Sequence, residues 1–156
     1  ANRLASNSLL EGAVFGHRAA IASLEEMVSV DTPNTLPEWS SGYATPGQEW
    51  VVVSHSWDEI RRIMWNYVGV VRSNKRLKRA QRRISLLAGE ILEDWWRFHV
   101  SRDSIELRNI ALVSELIVEG ASRRQESRGL HYNQDFPHRD DTNWLRDTTL
   151  WRGQGS

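Results

Sequence analysis

The chain has 156 residues, enough for one domain with a real core but not for two large ones. Twenty Lys and Arg balance twenty Asp and Glu, so no global field favours nucleic acid, a membrane surface or a strongly acidic partner. Cysteine is absent, which excludes disulfides and thiolate metal sites and fits a reducing cytosol. No apolar run approaches a membrane span, and the first residues lack the basic, apolar, small-residue order of a signal peptide. Eight tryptophans are many for this length and can serve a core, an interface or both.

The first eleven residues, Ala1 to Glu11, are mostly small and polar and then turn abruptly into an apolar helical pattern. Ser6, Asn7 and Ser8 can each cap a helix, and Glu11 stands three residues after Ser8, at capping-box spacing. Leu9, Leu10, Ala13, Val14, Ala20, Ile21 and Leu24 carry the helix from Ser8 to about Met27. Its start offers unpaired backbone N–H groups and a positive dipole end to an anion or an electron-rich ring edge. Gly12 and Gly16 leave one face open to close approach by another backbone.

Residues 29–53 hold Pro33, Pro37 and Pro46 among Ser, Thr, Asn and Gly, and read as a long connection pinned by Trp39, Tyr43 and Trp50. Trp50 to Val53 can form a short strand without an obvious partner. Ser56 starts a second helix, with Asp58 and Glu59 in its first turn and a stripe of Ile60, Ile63, Met64, Tyr67, Val68 and Val71 blemished by Gly69. A third helix runs from about Asn74 to His99, its buried edge marked by Leu77, Ala80, Ile84, Leu87, Ile91 and Trp95. The dense positive charge from Lys75 to Arg83 reads as a solvated face rather than a nucleic-acid patch. Ser101 or Asp103 caps a fourth helix reaching about Gln125, with more than one apolar face. Short breaks between the last three helices predict an antiparallel bundle. In the tail, Arg128-Gly129 reads as the Gly-capped end of a helix that Pro137 keeps from resuming.

Two stretches at opposite ends carry a resemblance most specifically, and Trp57 to Ser73 and Asp140 to Leu145 share it. Asn2-Arg3-Leu4-Ala5-Ser6-Asn7-Ser8-Leu9-Leu10-Glu11, with Val14-Phe15-Gly16, resembles the last flavin-contacting segment of the fumarate reductase/succinate dehydrogenase flavoprotein superfamily. Glu126-Ser127-Arg128-Gly129-Leu130-His131-Tyr132 resembles the same superfamily's tail, and Ser6 and Leu130 match its L-aspartate oxidase branch. The resemblance implies that Arg3 grips a substrate carboxylate and that Ser8 and Leu9, with Asn7 holding the turn, contact the pyrimidine side of FAD. The Gly12/Gly16 face would then press against a flavin domain; a tight contact inside the helical domain is the other reading. Arg128 and His131 match the tail motif without an assigned chemical role.

A dinucleotide-binding G-x-G-x-x-G is missing, as is any strand–helix alternation. Together with an opening inside the motif, this predicts a carboxyl-terminal piece of a larger flavoenzyme. Such a piece would have no catalytic residue and no metal of its own, would bind no FAD alone and would be inactive in isolation.

The expected fold is all-α: an antiparallel three-helix bundle preceded by one separate N-terminal helix and a long loop, with an irregular C-terminal tail. Its expected divisions are 1–28, a helix belonging to the parent's FAD domain; 29–55, a connection; 56–126, the bundle; and 127–156, the tail. The implied parent is cytoplasmic and oxidises L-aspartate to iminoaspartate with O2 or fumarate as acceptor, the first step of de novo NAD synthesis. Its partners are its own missing FAD and capping domains, with quinolinate synthase a candidate; nucleic acid and membrane are not expected. The rivals are a succinate dehydrogenase or fumarate reductase flavoprotein and a stand-alone helical interaction module.

Overall fold

A computed structural model describes residues 7–29, 35–45 and 50–151. The chain divides into two compact units, Ala1–Ser40 and Ser41–Ser156. In the first unit one helix, α1 (Asn7–Met27), is followed by an irregular segment at 35–40. Because α1 begins at Asn7, Ser8 lies inside its first turn and is not the cap, so the expected Ser8–Glu11 box is not the one used. The preceding Ser6 lies outside the described residues. Among the described residues, a Cβ added at Gly12 or Gly16 would meet nothing within 4 Å.

The second unit is the bundle. Helices α2 (Trp50–Val68), α3 (Asn74–Arg97) and α4 (Arg102–Arg123) pack on one another in all three pairings. The connections at 69–73 and 98–101 are short, which forces consecutive helices to run antiparallel. Ile60, Leu77, Ile84, Leu107 and Val118 are almost wholly enclosed. Each contributes about 1.5–3 kcal/mol relative to an exposed position. On α3 the predicted edge is the observed one, with Leu77, Ala80, Ile84, Leu87 and Ile91 buried and Trp95 half-buried. The opposite, basic face is solvated: Arg79 lies over the Tyr67 ring and Arg83 pairs with Glu59 at 3.5 Å.

Helix α2 corrects the sequence reading. It begins at Trp50, not Ser56, and no strand forms at 50–53. Three consecutive β-branched valines lower helix propensity, but Val53 and Ser56 are buried and extend the Ile60–Ile63 stripe by whole turns. Burial of that face outweighs local preference. Asp58 and Glu59 therefore sit in mid-helix, and the dipole argument for them does not apply. Gly69 is a terminator rather than a blemish. A Cβ there would lie 2.8 Å from the Trp65 carbonyl oxygen, so glycine lets the chain leave the helix closely packed on its last turn.

Ser73 caps α3, its side chain accepting from the Arg76 N–H at 3.3 Å. Ser101 caps α4 in a reciprocal box with Ser104, at 3.2 and 2.9 Å. Trp39 and Tyr43 do not pin the connection, being 84% and 104% exposed. Thr45 does so through its backbone, donating to the Arg97 carbonyl at 3.1 Å and accepting from the His99 N–H at 3.0 Å. On α4 only one apolar face is covered: Leu107, Ala111 and Val118 are buried, whereas Leu112, Val113, Leu116 and Ile117 are exposed. Among the described residues, no helix is long and apolar enough to cross a membrane.

The tail is more ordered than an irregular segment. α4 ends at Arg123, so Gly129 caps no helix. Gly129, at φ +56°, instead shapes a tight turn closed by paired backbone hydrogen bonds between Arg128 and His131 at 2.9 and 3.0 Å. Beyond it, β2 (Tyr132–Asn133) lies parallel to β1 (Val71–Arg72), with Val71 opposite Tyr132 and Arg72 opposite Asn133. A single turn, α5 (Asp141–Trp144), follows and is capped by Asp140.

Ile84→Ala is expected to cost about 2–5 kcal/mol in urea unfolding. Trp65→Ala, at an exposed ring, should stay within about 0.5 kcal/mol. Equal losses would mean that the enclosed seam is not the core. Hydrogen exchange should be slowest in α2–α4; α1 as the best-protected segment would contradict the bundle as the rigid element.

Candidate functional site

Two places hold the residues singled out by sequence. The first is the start of α1. Asn7 is its first helical residue, Ser8 is half-buried and Leu9 is 77% exposed. This turn presents the helix's first amides, which have no carbonyl of the same helix to bond. Such a terminus favours negative charge or an electron-rich edge in front of it. Arg3 lies outside the described residues.

The second is the tail, which gathers charges that the sequence left without a role. The Glu126 side chain, at 0% exposure, is enclosed. Arg128 grips it through two hydrogen bonds, Nε to Oε1 at 2.7 Å and Nη2 to Oε2 at 3.1 Å. Arg124 Nη1 donates to Oε1, and the Asp140 N–H donates to Oε2 at 2.9 Å. These donors, with Arg128 first, hold the Glu126 carboxyl down at about 2. Arg128 Nη2 also reaches Asp141 at 2.6 Å, and Arg139 binds the same carboxylate at 2.7 Å. Arg124, just past α4, also donates to the Trp144 and Arg146 carbonyls, and so ties the last helix to the chain beyond α5.

A second knot joins the tail to the start of α3. Asn133 is fully buried; its side chain donates to Asn74 Oδ1 at 3.0 Å and accepts from the Asp135 N–H at 3.1 Å. Asp135 in turn accepts from the Asn74 N–H at 2.6 Å. Arg72 Nη1 and His131 Nδ1 are 2.8 Å apart. Because a guanidinium can only donate, His131 is neutral there and carries its proton on Nε2. Burial, and then the Arg72 charge, push the His131 pKa below its ordinary value. The nearby Arg124 carbonyl favours the proton, yet Nε2 is enclosed without a well-formed hydrogen bond. Arg128 and His131 are thus brought together with residues that sequence reasoning passed over: Glu126 as an acceptor, Arg124, Arg72 and Asp141. The signal that could have found them is the Glu126-x-Arg128 pair followed by the Asp140-Asp141 run.

The open face of the bundle forms a furrow of about 600 Å³ between α3 and α4, lined by Leu92, Trp95, Trp96 and Leu112. Arg108 stacks on Trp95 at 4.1 Å. Glu115 stands among these apolar side chains, and desolvation pushes its carboxyl up. Among the described residues, no group of three or more His, Cys, Asp or Glu is placed to hold a metal ion.

The lowered pKa values of Glu126 and His131 set the sign of their share of the acid response. Glu126 binds protons more weakly folded than unfolded, so its contribution is present above about 4.5 and is lost as the pH falls towards 2. His131 acts in the same sense from its ordinary 6.5 downwards. Thermal unfolding between pH 7 and pH 3 should therefore show a falling midpoint, and Glu126→Gln should flatten the lower part of that curve. An unchanged slope in the variant would remove Glu126 from the account.

Residues 57–156, which contain the bundle from its second turn through the tail, match the family model described as fumarate reductase flavoprotein C-term. The chain is 53% identical over 137 residues to the L-aspartate oxidase of Pseudomonas aeruginosa, covering 88% of this chain and 26% of that protein. It is 55% identical over 137 residues to L-aspartate oxidase 1 of Ralstonia nicotianae, with the same coverage. The chloroplastic L-aspartate oxidase of rice is 39% identical over 151 residues, 88% of this chain and 23% of that protein. The chain thus spans about a quarter of the length of the relatives it matches. Its bundle and locked tail belong to the fumarate reductase flavoprotein C-terminal family.

Proposed function

We propose that this chain is the carboxyl-terminal part of an FAD-dependent L-aspartate oxidase. The observation that carries the reading is the identity of more than half over 137 residues to proteins of that name. The start of α1 fits the role the motif implies. Its first-turn amides and the half-buried Ser8 can donate to the electron-rich edge of a flavin, and the exposed Leu9 leaves that edge accessible. FAD, bound by the parent, supplies the two-electron acceptor for aspartate oxidation. Donors fixed at the ring edge favour the negative charge of its reduced form. Arg3 binds a substrate carboxylate, a task suited to the planar guanidinium fork, and Asn7 holds the turn.

The bundle's own task is structural. It covers one side of the flavin domain, and the open apolar face of Leu92, Trp96, Leu112 and Leu116 is the kind of surface such a contact requires. In isolation the chain carries too little of the site to bind FAD or oxidise aspartate. The parent is cytoplasmic, takes O2 or fumarate as acceptor and hands iminoaspartate to quinolinate synthase.

The full-length protein, assayed for peroxide release with L-aspartate and with succinate, tests the reading. Aspartate should be oxidised, and Arg3→Ala should raise its KM by about tenfold to a hundredfold, the loss of one or two charge-assisted hydrogen bonds. Oxidation of succinate but not aspartate would move the chain to the dehydrogenase branch. A full-length protein without flavin would leave only a helical interaction module.

A further inference from the structure

The cluster around Glu126 leaves one opening that neither the bundle nor the oxidase reading uses. Beside Arg124, Arg128 and Arg146 lies a cavity of about 490 Å³, with Trp144 and Leu145 in its wall. Arg124 is committed: its donors go to Glu126, to two backbone carbonyls and to Thr148. Arg128 spends Nε and Nη2 on Glu126 and Asp141, but Nη1 enters none of these bonds. The Arg146 guanidinium joins none of them either and rests 5.5 Å from the centre of the Trp144 ring, with Arg124 at 5.7 Å from the same ring.

The charge balance favours an anion. The wall carries three guanidiniums, opposed by the Asp147 carboxylate and by Glu126 behind it. Asp141, the next carboxylate, is shared between Arg128 and Arg139. His131 in the same wall adds no negative charge. Arg72 stands directly behind it, its guanidinium 2.8 Å from the imidazole. The indole lies within cation–π range of both guanidiniums, which favours keeping their charge at this wall. Planar forks with unspent N–H donors match a carboxylate, which accepts two parallel hydrogen bonds.

We propose that this cavity is a binding site for a small free carboxylate anion, held by Arg128 Nη1 and the Arg146 guanidinium over Trp144. The site is independent of the start of α1 and does not rest on the oxidase reading.

The test is a titration of the chain with malonate, and separately with acetate, at constant ionic strength, following the Trp144 indole N–H and the Arg146 Nε–H by NMR. Saturable shifts at both groups are expected, with a dissociation constant on the order of millimolar for an exposed site. Arg146→Gln should weaken binding by about tenfold, the loss of one charge-assisted fork. Asp147→Asn, which removes the opposing charge, should tighten it. The fold should be unaffected by Arg146→Gln, because Arg124 bonds the backbone carbonyl of residue 146 and not its side chain; an unchanged unfolding midpoint checks this. Shifts that never saturate, that chloride reproduces, or that persist unchanged in Arg146→Gln would overturn the proposal.

Discussion

At the carboxyl end of the chain the structure depends on one buried carboxylate. Glu126 is removed from water, so its charge must be met where it lies, and Arg128, Arg124 and the Asp140 amide meet it. Each donor comes from a different local structure: the chain just past α4, the tight turn at Gly129 and the cap of α5. A carboxylate so placed converts three separate pieces of chain into one. It also makes the three pieces interdependent, since removing either arginine leaves the enclosed charge with one cationic partner fewer.

That knot explains why a segment with little apolar content stays in place. The tail contributes few enclosed hydrophobic side chains; its buried members are Glu126 and Asn133. Asn133 and the β1–β2 ladder fasten it to the start of α3, and Arg72 reaches from β1 to His131. The bundle beneath is held by ordinary burial, and its uncovered apolar face supplies what a large neighbouring domain can pack against. The division of labour is physical: the seam of α2–α4 gives rigidity, the ionic knot gives shape at one end, and the apolar face of α3 and α4 is left open.

What was legible in the sequence follows from the same distinction. Leu77, Ala80, Ile84, Leu87 and Ile91 repeat at three and four residues because one helical face is buried, and that pattern needs no knowledge of the partner helix. The cap at Ser101 is equally local. Val51 to Val53 misled because the preference of β-branched residues for strands is weaker than burial of Val53, and burial is decided by the whole fold. Gly129 misled because a turn and a helix end both call for positive φ. Two-residue strands have no periodicity to read, and the Glu126 knot joins residues whose closeness only the folded chain creates. At the N-terminal motif the resemblance named Asn7, Ser8 and Leu9; the helix start at Asn7 came from the structure and moved the cap away from Ser8.

The role proposed for this chain is to complete the site of an aspartate-oxidising flavoprotein. Anaerobic titration of the full-length protein with L-aspartate, read in the flavin absorbance, addresses it without any assumption about the electron acceptor. Stoichiometric bleaching by aspartate, and none by succinate, is the predicted result. A flavin that succinate bleaches and aspartate leaves oxidised would contradict it.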